Sequence, residues 1–578
     1  MPDDFVLQEG MRIESDVAIP MDDNVALMAD VFRPIDDERH PVLLSMGPYG
    51  KGLHFEDGYP DQWSIMCTGH PDVPAGSSNR FQSWEIADPE KWVPHGYALV
   101  RVDSRGAGRS PGVLDPFSAR ETWDLYACIE WAAAQPWSSG RVGLSGISYY
   151  AVNQWQVAAL RPSHLAAICV WEGYADQYRE LARHGGILST FGEHWYPAQV
   201  ETVQHGLGER GARSRTTGRL VAGDETLSEE ELERNRVNYG RSLRENGVED
   251  PYFQQRSPDL GRIQVPLLSA GNWGGAGLHL RGNTEGFLQA GSEHKWLELH
   301  GLEHWTHYYT DYGRELQLAF FDRFLKGLDN GWDRRPPVML NIRTVDGRFQ
   351  RRDEDAWPIP RTRWTRMYLD ASSLELTADS IDEEATATYD PLREDVTFSM
   401  VVENEVELTG PIAAKLFISS ETADADLFLI VRLFDLEGDE VTFQGALEPH
   451  SPIAHGWLRA SHRRLDPVRS TEYRPCHTHI EPEALTPGKV YELDVEIWPS
   501  CVVIPAGYRL ALTIQGHDYR YGEAVERVSW FEMTGVGPFK HDDPRDRPPD
   551  VFGGTVTLHT GGTRASYLLL PVIPPATP

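Results

Sequence analysis

Cysteine is scarce in this 578-residue chain: Cys67, Cys128, Cys169, Cys476 and Cys501 are odd in number, widely spaced and without a CxxC pair. That usage argues against a disulfide framework and against a zinc site. Long apolar runs are missing too, and no window approaches the roughly 18 uninterrupted apolar residues of a membrane-spanning helix. The opening Met1-Pro2-Asp3-Asp4 has neither the basic start nor the apolar stretch of a secretory signal, so a soluble, cytoplasmic protein is the expectation. Positive charge is also in short supply. The chain carries 54 Lys and Arg against 87 Asp and Glu, a formal charge of −33 that repels nucleic acid and anionic lipid. Neutral or cationic small molecules suit that field, although net charge speaks first to solubility. There is no GxGxxG string, no P-loop string and no cluster at metal-ligand spacing, and His477-Thr478-His479 lacks a third ligand. No cofactor and no metal are expected.

The length exceeds a single hydrophobic core, and a 40% apolar fraction with 18 Trp, 22 Tyr and 20 Phe supplies enough burial for two or three domains. Residues 12–34 alternate apolar and polar side chains, as edge strands do. Short apolar runs follow at 41–46, 98–102, 142–145, 166–171, 266–270 and 296–299, separated by loops and helical patterns. This alternation predicts a mostly parallel sheet covered by helices, with residues 122–134 as one crossover helix ended by Pro136. A polar, charged interval before residue 265 reads as an inserted helical cap. After Arg334-Arg335-Pro336-Pro337 the texture turns to period-two alternation, as at 413–419 and 491–497, which predicts an all-β domain of jelly-roll sandwich type. The expected division is a catalytic α/β domain at 1–175 and 256–333, a cap at 176–255 and a β-sandwich at 334–578.

The sharpest signal is Gly143-Leu144-Ser145-Gly146-Ile147-Ser148-Tyr149-Tyr150, a short strand running into a helix. A strained turn between strand and helix exposes a serine hydroxyl, and the helix N-terminus favours the negative charge that develops there. Ser148 is therefore the candidate nucleophile of an α/β-hydrolase, and Ser145 a buried competitor. The GxSxG pattern fails at its last position, where Tyr150 stands.

The string from Gly146 to Trp155 resembles the elbow of the hydrolase family that contains cocaine esterase, X-Pro dipeptidyl-peptidase and glutaryl-cephalosporin acylases, in which Tyr follows the nucleophile. Further strings carry the same resemblance: Gly47-Pro48-Tyr49-Gly50-Lys51, Val102-Asp103-Ser104-Arg105-Gly106-Ala107-Gly108-Arg109-Ser110, and in the β-domain Thr486-Pro487-Gly488 and Pro505-Ala506-Gly507-Tyr508-Arg509-Leu510. It runs from near residue 12 to near residue 570. It implies an α/β-hydrolase core with a cap and a C-terminal jelly roll, and an oxyanion hole made by the Tyr49 hydroxyl and the Tyr149 backbone N–H. Asp103 and Arg105 read as structural.

The base should sit in a loop after the last core strand, where His300, His304 and His307 compete. His304 is the choice, because His300 closes the strand. The family's acid is an Asp in a Trp-x-Asp string, but this chain has Asn272-Trp273-Gly274-Gly275 there. Glu172, at the tip of the neighbouring strand, is expected to replace it, with Asp176 and Glu303 in reserve. Trp171, Trp273 and Trp305 are candidates for an aromatic acyl pocket. The expected activity is cleavage of an ester or amide bond of a small substrate through an acyl-enzyme on Ser148. Two alternatives stand beside it: a dipeptidyl-peptidase or acylase acting on X-Pro or acyl-amide bonds, and a degenerate hydrolase serving as a binding or assembly module. A homo-oligomer is compatible with the sequence.

Overall fold

The computed structural model describes residues 5–522, 526–528 and 530–575, so the opening Met1-Pro2-Asp3-Asp4 lies outside the described residues. The strands of the first half are β1 (Val6–Gln8), β2 (Met11–Pro20), β3 (Ala26–Pro34), β4 (His40–Gly47), β5 (Ala98–Asp103), β6 (Ser138–Ile147), β7 (Leu165–Trp171), β8 (Arg183–His184), β9 (Ile187–Leu188), β10 (Leu267–Asn272), β11 (Lys295–His300), β12 (Val338–Arg343) and β13 (Phe349–Glu354). Eleven of them make one sheet in the order β1-β2-β3-β5-β4-β6-β7-β10-β11-β12-β13, and β8 and β9 form a separate small hairpin. Pairing is parallel from β5 through β12 and antiparallel at both edges. Every residue of β4 is buried, as a parallel strand covered on both faces requires.

The crossover helix Ala119–Ala133 starts where Ser118 accepts a hydrogen bond from the Glu121 N–H, three residues earlier than its apolar pattern indicated. The helix Tyr149–Leu160 follows β6 directly and is buried along nearly its whole length. The carboxyl ends of β6, β7, β10 and β11 therefore lie side by side, where open α/β sheets place their ligands.

The sequence division needs correction at two places. Residues 338–354 were expected in the β-domain, but β12 and β13 complete the first sheet, because Leu297–Leu299 of β11 still had an open edge to pair with Val338–Leu340. The interval 176–255 holds only short helices, the longest being Tyr239–Glu245, with a π-helical turn at Gln177–Ala182. Its many Gly and Arg residues serve loops and ion pairs rather than long helices.

From Arg363–Asp370 to Tyr567–Ile573 the chain is almost entirely β, with eleven strands in one sheet. Val406–Ser420 pairs with Tyr491–Ile504 on one side and with Tyr567–Ile573 on the other, which closes the sheet on itself around Leu416, Ile418, Leu429, Val495 and Leu512. The register of Val406–Ser420 breaks between Gly410 and Ile412, the kind of bulge that lets a long strand bend around a closed sheet.

The two halves share an apolar cluster joining Trp273, Leu297 and Leu340 to Phe428, Trp457 and Trp498. Arg281 adds a buried ionic link, donating to Glu180 at 2.7 Å and to Glu496 of the β-domain at 2.9 Å. Removing one member of such a set leaves uncompensated charge in a dry site. Arg281→Ala is expected to destabilise the protein by about 3–5 kcal/mol. A urea midpoint indistinguishable from the wild type would show that the link holds nothing.

Candidate active site

Ser148 sits at φ 57° and ψ −113°, a left-handed conformation that non-glycine residues adopt only where neighbours enforce it. Its N–H is directed at the carbonyls of Trp171 and Glu172, both at 3.1 Å. The bulky Tyr150 fits at the elbow because glycine clears the space around it. A Cβ on Gly146 would stand 2.4 Å from the Tyr150 Cβ, and one on Gly47 would stand 2.6 Å from its ring.

The structure brings Glu172 and His304 together. His304 Nδ1–H donates to Glu172 Oε2 at 2.7 Å, His300 Nε2–H donates to Glu172 Oε1 at 3.3 Å, and the Asn272 amide reaches Oε1 at 3.4 Å. Asn272 also donates to the Leu302 carbonyl at 2.7 Å, tying the histidine loop to the acid. Glu172 is itself in the left-handed region at φ 50°, and its N–H donates to the Ala270 carbonyl at 2.6 Å, which turns its side chain over the strand tips. Burial alone would raise its carboxyl. The charge of His304 and the hydrogen bonds from His300 and His304 outweigh burial and hold it down at about 2. Burial pulls His304 toward the neutral form, but Glu172, followed by Glu85, pushes it up to about 10.

The expected contact between Ser148 and His304 is not the one the structure makes. The Ser148 hydroxyl lies 3.1 Å from His279 Nε2, and His304 Nε2–H donates instead to Glu85 Oε1 at 2.9 Å. The hydroxyl is engaged by the ring that stands between Tyr174 and His304, stacked on both. His279 Nδ1 accepts the Tyr174 backbone N–H at 3.2 Å, so the ring proton resides on Nε2 and is donated to Ser148. That tautomer is the wrong one for a base. Burial, then the charge of His304, holds His279 well below the ordinary histidine range.

Tyr49 lines the same cavity as Ser148, Glu85, His279 and His304, and its hydroxyl accepts the Trp195 indole N–H at 3.1 Å. The Tyr149 side chain points away from the cavity and donates to Glu121, leaving its main chain at the first position of the helix. Of the reserve acids, Asp176 caps the turn Gln177–Ala182 and pairs with Arg179, and Glu303 accepts the Thr306 hydroxyl. His307 packs its ring at a tilt against His300 and Tyr312 and has no contact with Ser148 among the described residues. Trp305 lines the cavity, whereas Trp171 is buried against His300 and Trp273 donates to the Asn341 carbonyl. The aromatic wall comes chiefly from Trp84, Phe191, Trp195, Trp530 and Phe539.

His279 and Glu85 were missed in the sequence. His279 lies five residues after the glycines that replace the expected Asp region begin at Gly274, inside a loop with no pattern of its own. Glu85 lies at φ 63° in an irregular stretch, and its carbonyl accepts the Ile147 N–H at 2.9 Å. No spacing or composition signal in the sequence points to either residue. Among the described residues, no group of three or more His, Cys, Asp or Glu is arranged to hold a metal ion.

The sequence model of the X-Pro dipeptidyl-peptidase (S15 family) matches residues 23–309, and that of the X-Pro dipeptidyl-peptidase C-terminal non-catalytic domain matches 330–569. A CocE/NonD family hydrolase from Staphylococcus aureus is 33% identical, covers 98% of this chain and 94% of its own length, and superposes with a TM-score of 0.84. The chain belongs to the CocE/NonD hydrolase family. Cocaine esterase from Rhodococcus sp. (strain MB1 Bresler) is 25% identical, with 97% of this chain and 98% of the esterase aligned. An α-amino acid ester hydrolase at 15% identity, covering 98% of this chain and 97% of its own, shares the fold with a TM-score of 0.66. In this CocE/NonD hydrolase the second family match begins before β12, so the sequence boundary at 330 falls inside what the sheet makes one structural unit.

The Glu172–His304 pair ties stability to pH with a defined sign. His304 is raised in the folded state, so its contribution is complete below the reference histidine value of about 6.5 and is lost as pH rises through about 10. Glu172→Gln removes the pair. The difference in urea midpoint between wild type and Glu172→Gln is expected to narrow as pH rises from about 6.5 to about 10. A difference constant across that range would contradict the ion pair.

Proposed function

We propose that this hydrolase cleaves an ester or amide bond of a small acyl substrate through an acyl-enzyme on Ser148, with His304 as base and Glu172 as the carboxylate that holds it. The observation that carries this reading is the 2.7 Å bond between Glu172 and His304, whose ring lines one cavity together with Ser148. Ser148 attacks the carbonyl, His304 takes its proton and returns it to the leaving group, and water cleaves the acyl-enzyme. Glu172 fixes the tautomer with the proton on Nδ1 and stabilises the imidazolium. Tyr49 and the Tyr149 N–H are the proposed donors to the oxyanion, a charge whose stabilisation in a dry site contributes most to such reactions. The cavity is a small-molecule site by its lining, with aromatic walls and a few convergent polar groups. A soluble, cytoplasmic location and catalysis without a cofactor are part of the same proposal.

Cleavage beside a substrate ammonium is a second reading. It draws on Glu85, a carboxylate on the cavity wall whose Oε2 is buried without a hydrogen-bond partner among the described residues. Turnover of short-chain nitrophenyl esters against X-Pro-anilides separates the two. The ester is expected to be the better substrate, and a reversed preference would favour the peptidase.

The nucleophile is tested with a labelled fluorophosphonate. Wild type should be modified stoichiometrically, and Ser148→Ala should not. Equal labelling of the two would remove Ser148 from the mechanism.

A further inference from the structure

Glu85 has no place in the acyl-enzyme chemistry proposed for Ser148 and His304, yet the fold spends strain and burial on it. Its side chain is 3% exposed, its backbone is held at φ 63°, and its own carbonyl is bound by the Ile147 N–H beside the nucleophile. The carboxyl is thereby anchored to the elbow itself. One oxygen takes the His304 Nε2–H at 2.9 Å, and the other finds no partner among the described residues. Nε2 is the atom that a base holding its acid through Nδ1 must offer to the serine. In the structure that atom is occupied, and the serine hydroxyl is engaged by His279 instead.

We infer that Glu85 is a positioning residue that latches His304 away from Ser148 in the resting enzyme, so that activation requires the Nε2 contact to be exchanged from Glu85 to the serine. This inference rests on the assignment of Ser148 and His304 as nucleophile and base. The latch acts through geometry, by directing Nε2 at a carboxylate fixed to the elbow. It also acts through charge, because a carboxylate facing Nε2–H favours the imidazolium, which has no lone pair to accept a proton.

The other groups around the pair come from every neighbouring element. Glu172 at the end of β7 holds the opposite nitrogen, and His300 at the end of β11 shares that carboxylate. His279, from the loop after β10, stacks on His304 at 5.2 Å. Tyr49, Tyr59, Tyr150 and Tyr309 face Glu85, all buried and all raised well above the ordinary tyrosine range, first by burial and in part by Glu85 itself. They stay neutral through the range in which His304 titrates. Burial lifts the Glu85 carboxyl to about 7 even against the pull of His304, which marks it as a costly place for a charge.

The sign of the effect follows. Neutral His304 is the reactive form, and two flanking carboxylates push the acidic limb of reactivity upward in pH. Glu85→Gln keeps the shape and removes one charge, so the limb should move down. The experiment is the pH profile of fluorophosphonate modification in wild type, Glu85→Gln and Glu85→Asp, with Ser148→Ala as control. For Glu85→Gln the acidic limb is expected to fall by about one pH unit or more, with a modification rate at pH 7 about tenfold higher, since one unit of limb is tenfold in neutral base. Glu85→Asp restores a carboxylate and should return the limb toward wild type. Damage to the fold would lower the rate at every pH and leave the limb in place. A limb unmoved in Glu85→Gln, with labelling still dependent on Ser148, would overturn the latch while leaving the proposed function standing. Labelling that persists in Ser148→Ala would overturn both.

Discussion

A carboxylate with no exposure to water remains ionised only when cations hold it, and the site is organised around that constraint at Glu172. Two imidazolium rings, His300 and His304, take its two oxygens, and His300 is in turn held by Glu298 at 2.6 Å. Carboxylates and imidazoles thus alternate from Glu298 through His300, Glu172 and His304 to Glu85. Each ring is fixed at both nitrogens, so neither can rotate without breaking a charge-assisted bond. The orientation of His304 is a property of this chain of contacts, not of the loop that carries it.

The proposed placement of the acid at Glu172 draws on β6 and β7 being parallel neighbours. Their tips put Ser148 and Glu172 side by side, and the Ser148 N–H is bonded to the Glu172 carbonyl. An acid on β10 would reach the histidine from one side and an acid on β7 reaches it from the other. What the β10 loop then gains is Asn272, which steadies both Glu172 and the Leu302 turn without adding charge.

Local patterns carried the parts of the fold that depend on local physics. Ser148 was legible because strand, strained turn and helix are consecutive, and the core strands were legible because a doubly covered parallel strand is an unbroken apolar run. The meeting of Glu172 with the histidine loop was legible from its position at a strand tip once the neighbouring loop was seen to lack a carboxylate. His279 and Glu85 were not. The tautomer of His279 is set by a backbone N–H more than a hundred residues away in the chain, and Glu85 is placed by a carbonyl bonded to the elbow. Neither leaves a periodicity or a spacing. The β12–β13 pair was misassigned for a related reason: neither strand carries a periodicity that says which sheet it joins, and only the open edge of β11 decides.

The β-domain contributes to the candidate site rather than hanging apart from it. Its Ala446 accepts the His304 N–H at 2.9 Å and donates to the Gly274 carbonyl at 3.0 Å, joining the histidine loop to the β10 loop. Gly445 packs so closely that a Cβ on Gly274 would lie 2.2 Å from its Cα. A side chain at Gly274 would therefore push the β-domain loop off the histidine. The glycines that stand where a Trp-x-Asp string was sought have this second cause, a backbone approach that leaves no room for anything larger. Leu447 and Phe539 of the same domain complete the cavity wall. A binding module independent of the cavity would have no need to seat a loop against His304 and to line the cavity that Ser148 shares, and these contacts weigh against that alternative.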